Sequence, residues 1–577
     1  MRLSGAAIAI ETLIAHGVTD VFGIPGGSVL NLYDELYSRS HRIRHHLTAH
    51  EQGATHAADG YARASGKAGV VIATSGPGAT NLITGIATAY LDSSPIVAIT
   101  GNVPTNLMGK DSFQEVDITG VAMPITKHGF LVKDINALED TLCEAFRLAC
   151  SGRPGPVLVD IPKDIQIAEA DFKGGTPLPE LERQKPDQAA LEAAAELINA
   201  SQRPYIYAGG GVVLSDSSTL LTQLAEKLDA PTGLSMMGLT AMSSTHPLNM
   251  GMTGMHGLAE SSQLNAEADL IIGIGVRFSD RATGNIASYR EKAKIIHIDV
   301  DNAEIDKNVL SDVSLLGDIR DVLPRLIDLV ESRERNAWLA HAADIKVAMR
   351  ETSRGAKVTA DTETEPLINA QPSRQDDPLI PPTPYAVIQA VRQHAGDDTE
   401  VATDVGQHQM WVAQYYPFNQ PRTLLTSGGL GTMGFGLGAA IGASIANGSR
   451  SRTLLFTGDG SFHMNLNELA TAVRYQLPIV IIIMNNGVLG MVRQWQSLFY
   501  QGRYAETTLN RPTDYVKLAE AFGAVGYKVA SISELHQALQ LAFASNGPVL
   551  IDCPIDPDAS VYPIIPPGGS YHDMIIA

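Results

Sequence analysis

Gly458-Asp459-Gly460-Ser461-Phe462 opens the most informative stretch of this 577-residue chain; it runs through a helical segment into Pro478-Ile479-Val480-Ile481-Ile482-Ile483-Met484 and closes on Asn485-Asn486. The pattern is strand, helix, strand. Consecutive strands of a parallel sheet end on the same edge, so Asp459 and Asn486 bring two oxygens to one spot. A hard cation suits such ligands, and magnesium held by few side chains keeps phosphate oxygens in its shell. The helix after Gly460 is expected to turn its first amides to the same anion. A Gly-Asp-Gly alone is more often just a turn. The Asn pair at the end of the next strand raises this one to a cradle for a metal ion and a diphosphate.

The bulk numbers narrow the field. A chain of this length exceeds one core, and three domains are expected. Its 44% hydrophobic and 18% charged residues are those of an ordinary globular protein. A formal net charge of −20 argues against nucleic acid or an acidic membrane as partner. No apolar run approaches bilayer length. The N-terminal segment looks briefly like a signal peptide, but Glu11 interrupts it and its spacing fits a first amphipathic helix. The three cysteines, Cys143, Cys150 and Cys553, lack metal-type spacing, so reduced thiols and a cytoplasmic protein are expected.

Unbroken apolar runs mark buried parallel strands at Val70–Ala73, Ile96–Ile99, Val157–Ile161, Tyr205–Tyr207, Leu270–Ile274, Ile295–Ile298, Leu454–Phe456, Ile479–Met484 and Val549–Ile551. Proline- and glycine-rich joints fall near Lys173–Pro186 and between Arg354 and Pro384. The expected organisation is an α/β protein of three doubly wound parallel-sheet domains, 1–170, 187–350 and 385–577, with a linker at 351–384. The first and third look related. Val70–Thr100 and Leu454–Met484 share a strand, a glycine-rich turn at Gly76 or Gly458, a helix, and a Pro-Ile-Val strand.

With His50-Glu51-Gln52-Gly53-Ala54 and Ala58-Asp59-Gly60-Tyr61-Ala62-Arg63 the chain resembles the catalytic (large) subunits of the acetohydroxyacid synthase, or acetolactate synthase, family of thiamine-diphosphate enzymes. A dozen segments in the right order carry the likeness: Phe22–Leu30, His50–Arg63, Thr74–Asn81, Phe113–Glu115, Gly152–Lys163, Gly254–Gly257, Gly275–Arg281, His297–Ile305, Asp404–Trp411, Ser427–Gly436, Gly458–Asn465 and Met491–Gln496. The resemblance implies a pyrimidine-binding first domain, a flavin-binding-like middle domain and a diphosphate-binding third domain. It implies thiamine diphosphate, Mg2+ and a structural FAD as cofactors. The implied reaction decarboxylates pyruvate and joins the two-carbon unit to a second pyruvate or 2-ketobutyrate, an early step of valine and isoleucine biosynthesis. A homodimer or homotetramer is implied, with room for a small regulatory subunit.

The likeness also assigns roles residue by residue. Glu51 would exchange a proton with the aminopyrimidine; a lone glutamate is otherwise a cap or surface group. Gly26, Gly27 and Gln114 would lie beside the reacting carbon. Thiamine diphosphate would be held by Glu51, Pro25, Gly76, Val405, Gly406, Gln407, His408, Gly431, Met433, Asp459, Gly460, Ser461, Asn486, Val488, Leu489, Gly490 and Met491. Asp459, Asn486 and the Val488 carbonyl would bind the metal. Arg153, Gly209, Gly210, Gly211, Gly254, Met255, His256, Gly275, Val276, Arg277, Asp299, Glu304, Ile305 and Asp318 would hold FAD, although no Gly-x-Gly-x-x-Gly fingerprint stands here. Phe113, Lys163, Met255, Arg281 and Trp495 would meet the substrates. Trp495 would favour the longer acceptor, since one methylene on an aromatic face is worth about 1–3 kcal/mol. Arg281 would take its carboxylate.

Asn102 stands where the family usually has glutamine, Ser112 and Gly460 where alanine is common, Gly438 where proline is usual, and His463 where methionine is frequent. None removes an expected cofactor ligand. A pyruvate oxidase, a glyoxylate carboligase, a sulfoacetaldehyde acetyltransferase or a catabolic acetolactate synthase shares the scaffold. Glu51 disfavours the glyoxylate enzyme, Trp495 and Arg281 favour the synthase, and the flavin-type segments argue against the catabolic enzyme. A non-catalytic homologue would be expected to have lost Glu51, Asp459 or Asn486.

Overall fold

The computed structural model describes residues 1–355 and 381–576. The joint expected at 351–384 therefore falls, for 356–380, outside the described residues. All nine strands expected from apolar runs are present, Leu270–Ile274 with the expected bounds and the other eight extended by one to three residues. They form the three central positions of three six-stranded sheets, all of whose pairings are parallel.

The first sheet runs, edge to edge, Arg44–Leu47, Asp20–Gly23, Gly69–Ala73, Ile96–Asn102, Val157–Pro162, His128–Leu131. In chain order its strands lie 2-1-3-4-6-5. The third sheet, Leu424–Leu425, Val401–Thr403, Thr453–Gly458, Ile479–Asn485, Val549–Pro554, Val525–Lys528, has the same order. The kinship read between the two segments thus extends to whole-sheet topology. The middle sheet, Asn249–Met252, Thr232–Leu234, Pro204–Ala208, Leu270–Ile274, Lys294–Asp299, Val313–Leu316, lies 3-2-1-4-5-6, the order of dinucleotide-binding folds. The expected first helix is Gly5–Ala15, started by Ser4, whose hydroxyl accepts from the Ala7 amide. The short strands Arg2–Ser4 and Glu169–Asp171 pair antiparallel and tie the ends of the first domain together.

The first and third domains share one apolar core, which runs from Phe22 and Ala57 to Phe435, Ala439 and Leu455. At its centre the helices Glu51–Ser65 and Phe435–Ala446 touch backbone to backbone. A Cβ on Gly60 would lie 2.2 Å from the Ala439 carbonyl oxygen, and one on Gly442 1.9 Å from that of Ala57. Beside the crossing, buried Arg63 donates to Asp59 (2.6 Å), Asp92 (2.9 Å) and the Thr426 carbonyl (2.7 Å), while Asp92 accepts from the Gly429 amide (2.7 Å). The guanidinium so paired satisfies both carboxylates away from water. Arg153 of the first domain joins the middle one, donating to Glu304 (2.8 Å) and Asp301 (3.3 Å). Among the described residues no helix is long and apolar enough to cross a membrane.

Candidate active site

Ligands of open parallel sheets gather at the carboxyl edge, where the strand order reverses. Each of the three sheets has such a point, and the candidate residues cluster at all three. In the third sheet it lies between Val401–Thr403 and Thr453–Gly458, so the loop Asp404–Gln407 faces Asp459 and, one strand on, Asn486. Buried Asp404 shapes the loop, accepting from the amides of Val405 (3.0 Å) and Gly434 (2.7 Å). Ser461 ties the next turn to it by donating to the Val405 carbonyl (2.8 Å). Gly406, Gly431 and Gly434 all have positive φ. Met433 lies half-buried beside Gly434, just ahead of the helix Phe435–Ala446.

Two buried polar atoms are left over here. The Asp459 Oδ1 and the His408 Nε2 have no hydrogen-bond partner. Burial pushes the Asp459 carboxyl up to about 6 and the His408 imidazole down to about 3. Asn486 donates to the Gln407 side-chain Oε1 (3.2 Å) and accepts from the Val488 amide (3.2 Å). Gln407 in turn donates to Gln494 (3.1 Å) and the Ala559 carbonyl (2.8 Å). Gly490 leaves the room this needs, since a Cβ there would lie 1.9 Å from the Gln407 oxygen. Leu489 donates its amide to the Thr507 carbonyl (2.8 Å) and Leu509 to the Gly487 carbonyl (2.9 Å), which ties the loop 486–489 to the segment 507–509. The helix Asp459–Asn465 begins at Asp459 itself, not after Gly460 as expected, and has only seven residues. An orphaned carboxylate oxygen is what a hard cation would take up. Among the described residues no three His, Cys, Asp or Glu side chains gather as a metal site. One carboxylate, one amide and a carbonyl need phosphate oxygens to complete a magnesium shell, so the donor set fits a metal-diphosphate pair.

The second cluster belongs to the first sheet, between Asp20–Gly23 and Gly69–Ala73. Pro25, Gly26 and Gly27 follow one strand, and Thr74, Ser75 and Gly76 the other. A Cβ on Gly26 would meet that of Thr74 at 2.5 Å, and Ser28 laces the loops together through Thr74 Oγ1 (2.9 Å) and the Ser75 amide (2.8 Å). Glu51 is the first residue of its helix, with the His50 Nδ1 accepting from the Gln52 amide (3.1 Å). Its carboxylate accepts from Asn81 (3.0 Å) and lies by Gly78, whose absent Cβ would be 3.3 Å away. Gly76 (φ +64°) backs onto Gln114, itself left-handed at φ +60°. Lys163 opens a helix at the end of the strand Val157–Pro162, on the same edge. Phe113 is 87% exposed.

The third cluster lines a cleft of about 640 Å³ where the middle domain meets the first and third. Gly210, Gly211, Gly275, Val276, Arg277, Asp299, Glu304 and Asp318 line it from the middle sheet, with Arg153, Met255 and His256. Gly209, Gly254 and Ile305 are not among its lining. A Cβ on Gly209 would strike the Gly275 carbonyl oxygen at 2.2 Å, so that glycine serves close packing of the two loops. Burial pushes the Asp299 carboxyl up to about 6. The Glu304 Oε2 is buried without a partner. A cleft at the reversal point of a 3-2-1-4-5-6 sheet, with one buried Glu304 oxygen left without a partner, fits a dinucleotide such as FAD.

At its other end the cleft is lined by Val405, Gly431, Met491 and Trp495. Here the Arg281 guanidinium lies 5.7 Å from the Trp495 ring centroid and 3.4 Å from the Met255 sulfur. Met255, Arg281 and Trp495 are thus together, whereas Phe113 and Lys163 lie with Glu51 on the first domain. The diphosphate and pyrimidine sets divide the same way, and no hydrogen bond among the described residues joins Glu51, Gly76 or Gln114 to Gln407, Asp459 or Asn486. Asp404, Asn81 and Gln494 were not singled out from the sequence. Each is polar, buried or half-buried, and recognisable only by what it holds.

Residues 3–121 match the N-terminal TPP binding domain of thiamine pyrophosphate enzymes, 191–326 their central domain, and 404–553 their C-terminal TPP binding domain. A Methanocaldococcus jannaschii protein named probable acetolactate synthase large subunit is 45% identical over 584 residues, covering 99% of this chain and 95% of its own length. The Escherichia coli acetolactate synthase isozyme 1 large subunit is 44% identical over 575 residues, covering 100% and 98%. The Haemophilus influenzae acetolactate synthase large subunit is 42% identical over 586 residues, with the same coverage.

Proposed function

This chain belongs to the thiamine pyrophosphate enzymes of the acetolactate synthase large-subunit family, and from that premise we propose that it decarboxylates pyruvate and condenses the remaining two carbons with a second pyruvate or 2-ketobutyrate, in the cytoplasmic synthesis of branched-chain amino acids. Thiamine diphosphate, when bound, supplies a nucleophilic carbon and an electron sink. Asp459, Asn486 and the Val488 carbonyl would hold Mg2+ and, with Gln407 and His408, the diphosphate. Glu51 would hold and return a proton at a ring nitrogen, oriented by Asn81. Gly26, Gly27 and Gly76 leave the backbone close to the reacting atoms. The middle-domain cleft would hold FAD.

One observation carries the choice of acceptor: Arg281 stacked over Trp495 at the cleft end that also meets Val405 and Gly431. A carboxylate seated on Arg281 lays its alkyl tail along the indole, which suits a 2-oxo acid and rewards an extra methylene. The separation of the two cofactor half-sites supports a homodimer, or a tetramer of such dimers, in which first and third domains of different copies complete one site. The relatives are named large subunits, which supports a smaller partner chain. The test is product analysis with thiamine diphosphate, Mg2+ and equal pyruvate and 2-ketobutyrate, with dissolved oxygen followed. Acetohydroxybutyrate in excess over acetolactate, without stoichiometric oxygen uptake, is expected. Acetate or acetyl phosphate with matching oxygen loss would make the protein an oxidase.

A further inference from the structure

Glu468 is a fully buried carboxylate that no step above uses. It ends the 3-10 turn Leu466–Glu468, which follows the helix Asp459–Asn465 and precedes the helix Leu469–Arg474. Its four donors are uncharged. Oε1 accepts from the His50 amide (2.9 Å) and Asn467 (3.4 Å); Oε2 accepts from the Ala49 amide (3.2 Å) and the Thr471 hydroxyl (2.6 Å). Two of the four are the backbone amides just ahead of Glu51, on a different domain. Seven residues on, the Tyr475 hydroxyl accepts from the Leu47 amide (2.7 Å).

The helix bearing Glu51 is shaped around this contact. A Cβ on Gly53 would lie 2.2 Å from Glu468 Oε1, so only glycine leaves room for the carboxylate there. Burial of a carboxylate without a lysine or arginine beside it is costly unless its lone pairs are used, and here two of the four hydrogen bonds go to the entry of one helix. A reactive side chain must be held within about half an ångström, and errors of about 1 Å cost on the order of a hundredfold in rate.

We infer that Glu468 is a positioning residue for Glu51: through the amides of Ala49 and His50, with Tyr475 as second anchor, the third domain fixes where the first domain's proton-holding carboxylate stands. This rests on the reading of Glu51 given above. Both Glu468 oxygens accept, so Glu468→Gln sets an amide N–H against a backbone N–H. Gly53→Ala reaches the same hook from the other side, displacing the carboxylate while leaving it in the chain.

Hydrogen exchange of the apo protein reads the hook without turnover. In either variant the peptide spanning 44–55 should exchange about tenfold faster or more, with the rest of the third domain unchanged. In the loaded enzyme kcat should fall about tenfold or more while KM for pyruvate moves less than about twofold. Glu468→Gln added to Glu51→Gln should cost nothing further, because the residue acts through Glu51. Unchanged exchange with unchanged kcat overturns the proposal, as does a double variant slower by the full product of the two losses. A Glu51→Gln protein with wild-type turnover overturns the reading of Glu51 and this proposal together. A crippled Glu51→Gln beside a normal Glu468→Gln overturns this proposal alone.

Discussion

His56 shows how much a single buried ring can govern. It lies on the Glu51 helix, edge-on to Phe435 with ring centroids 5.3 Å apart, and burial pushes its imidazole from 6.5 down to about 4. A base whose folded value is depressed contributes its stability in full above the unfolded value, and that stability is lost as pH falls from 6.5 toward 4. The loss amounts to about 3 kcal/mol. The urea midpoint should therefore fall more steeply between pH 7 and 5 in the wild type than in His56→Gln, and equal slopes would show that the buried ring takes up its proton as readily as in the unfolded chain. His45 and His256, also held near 4, act in the same direction, so the variant keeps part of the slope. Legibility at this scale follows from local rhythm. Asp459, Asn486 and the glycines after Gly23 could be singled out because each ends an apolar strand. Glu468 and Asp404 could not: each owes its place to backbone amides, and for Glu468 those lie about 420 positions away in sequence.

At the scale of elements, the crossing of Glu51–Ser65 with Phe435–Ala446 is the joint on which both half-sites hang. Alanine in place of Gly60 would raise helix propensity by about 1 kcal/mol. It would also drive a methyl group to 2.2 Å from the Ala439 carbonyl, forcing the helices apart. Overpacking of this kind costs about 1–3 kcal/mol and here meets rigid backbone, so Gly60→Ala should melt lower than wild type in a thermal scan. A melt at or above wild type would mean that the helices slide freely. The strands show which elements a sequence displays. The three central strands of every sheet are visible as unbroken apolar runs because both faces are covered. The outer ones, such as Arg44–Leu47 and Val525–Lys528, carry charged residues at solvent-facing edges, and the inner Val401–Thr403 is too short to stand out.

For the whole molecule, the division of both cofactor and substrate residues between the first domain and the other two has a direct test. Chains carrying Glu51→Gln and chains carrying Asn486→Ala should each be nearly inactive. Mixed after dissociation, they should recover about a quarter of wild-type activity, since half of the dimers are hybrids and each hybrid has one intact site. No recovery would mean that each chain builds its site alone. The shared strand order of the first and third sheets suits the proposed pairing, for each would supply one reversal point to a shared site. One segment, Asp459–Tyr475, then acquires a double duty. It begins at the carboxylate that would meet the metal of one centre and ends at the hooks beneath Glu51, which belongs to the other. In the proposed dimer, whatever stiffens its first turn would be felt at its last, so occupancy of one centre would alter the affinity of its neighbour, and by thermodynamic necessity each would influence the other equally.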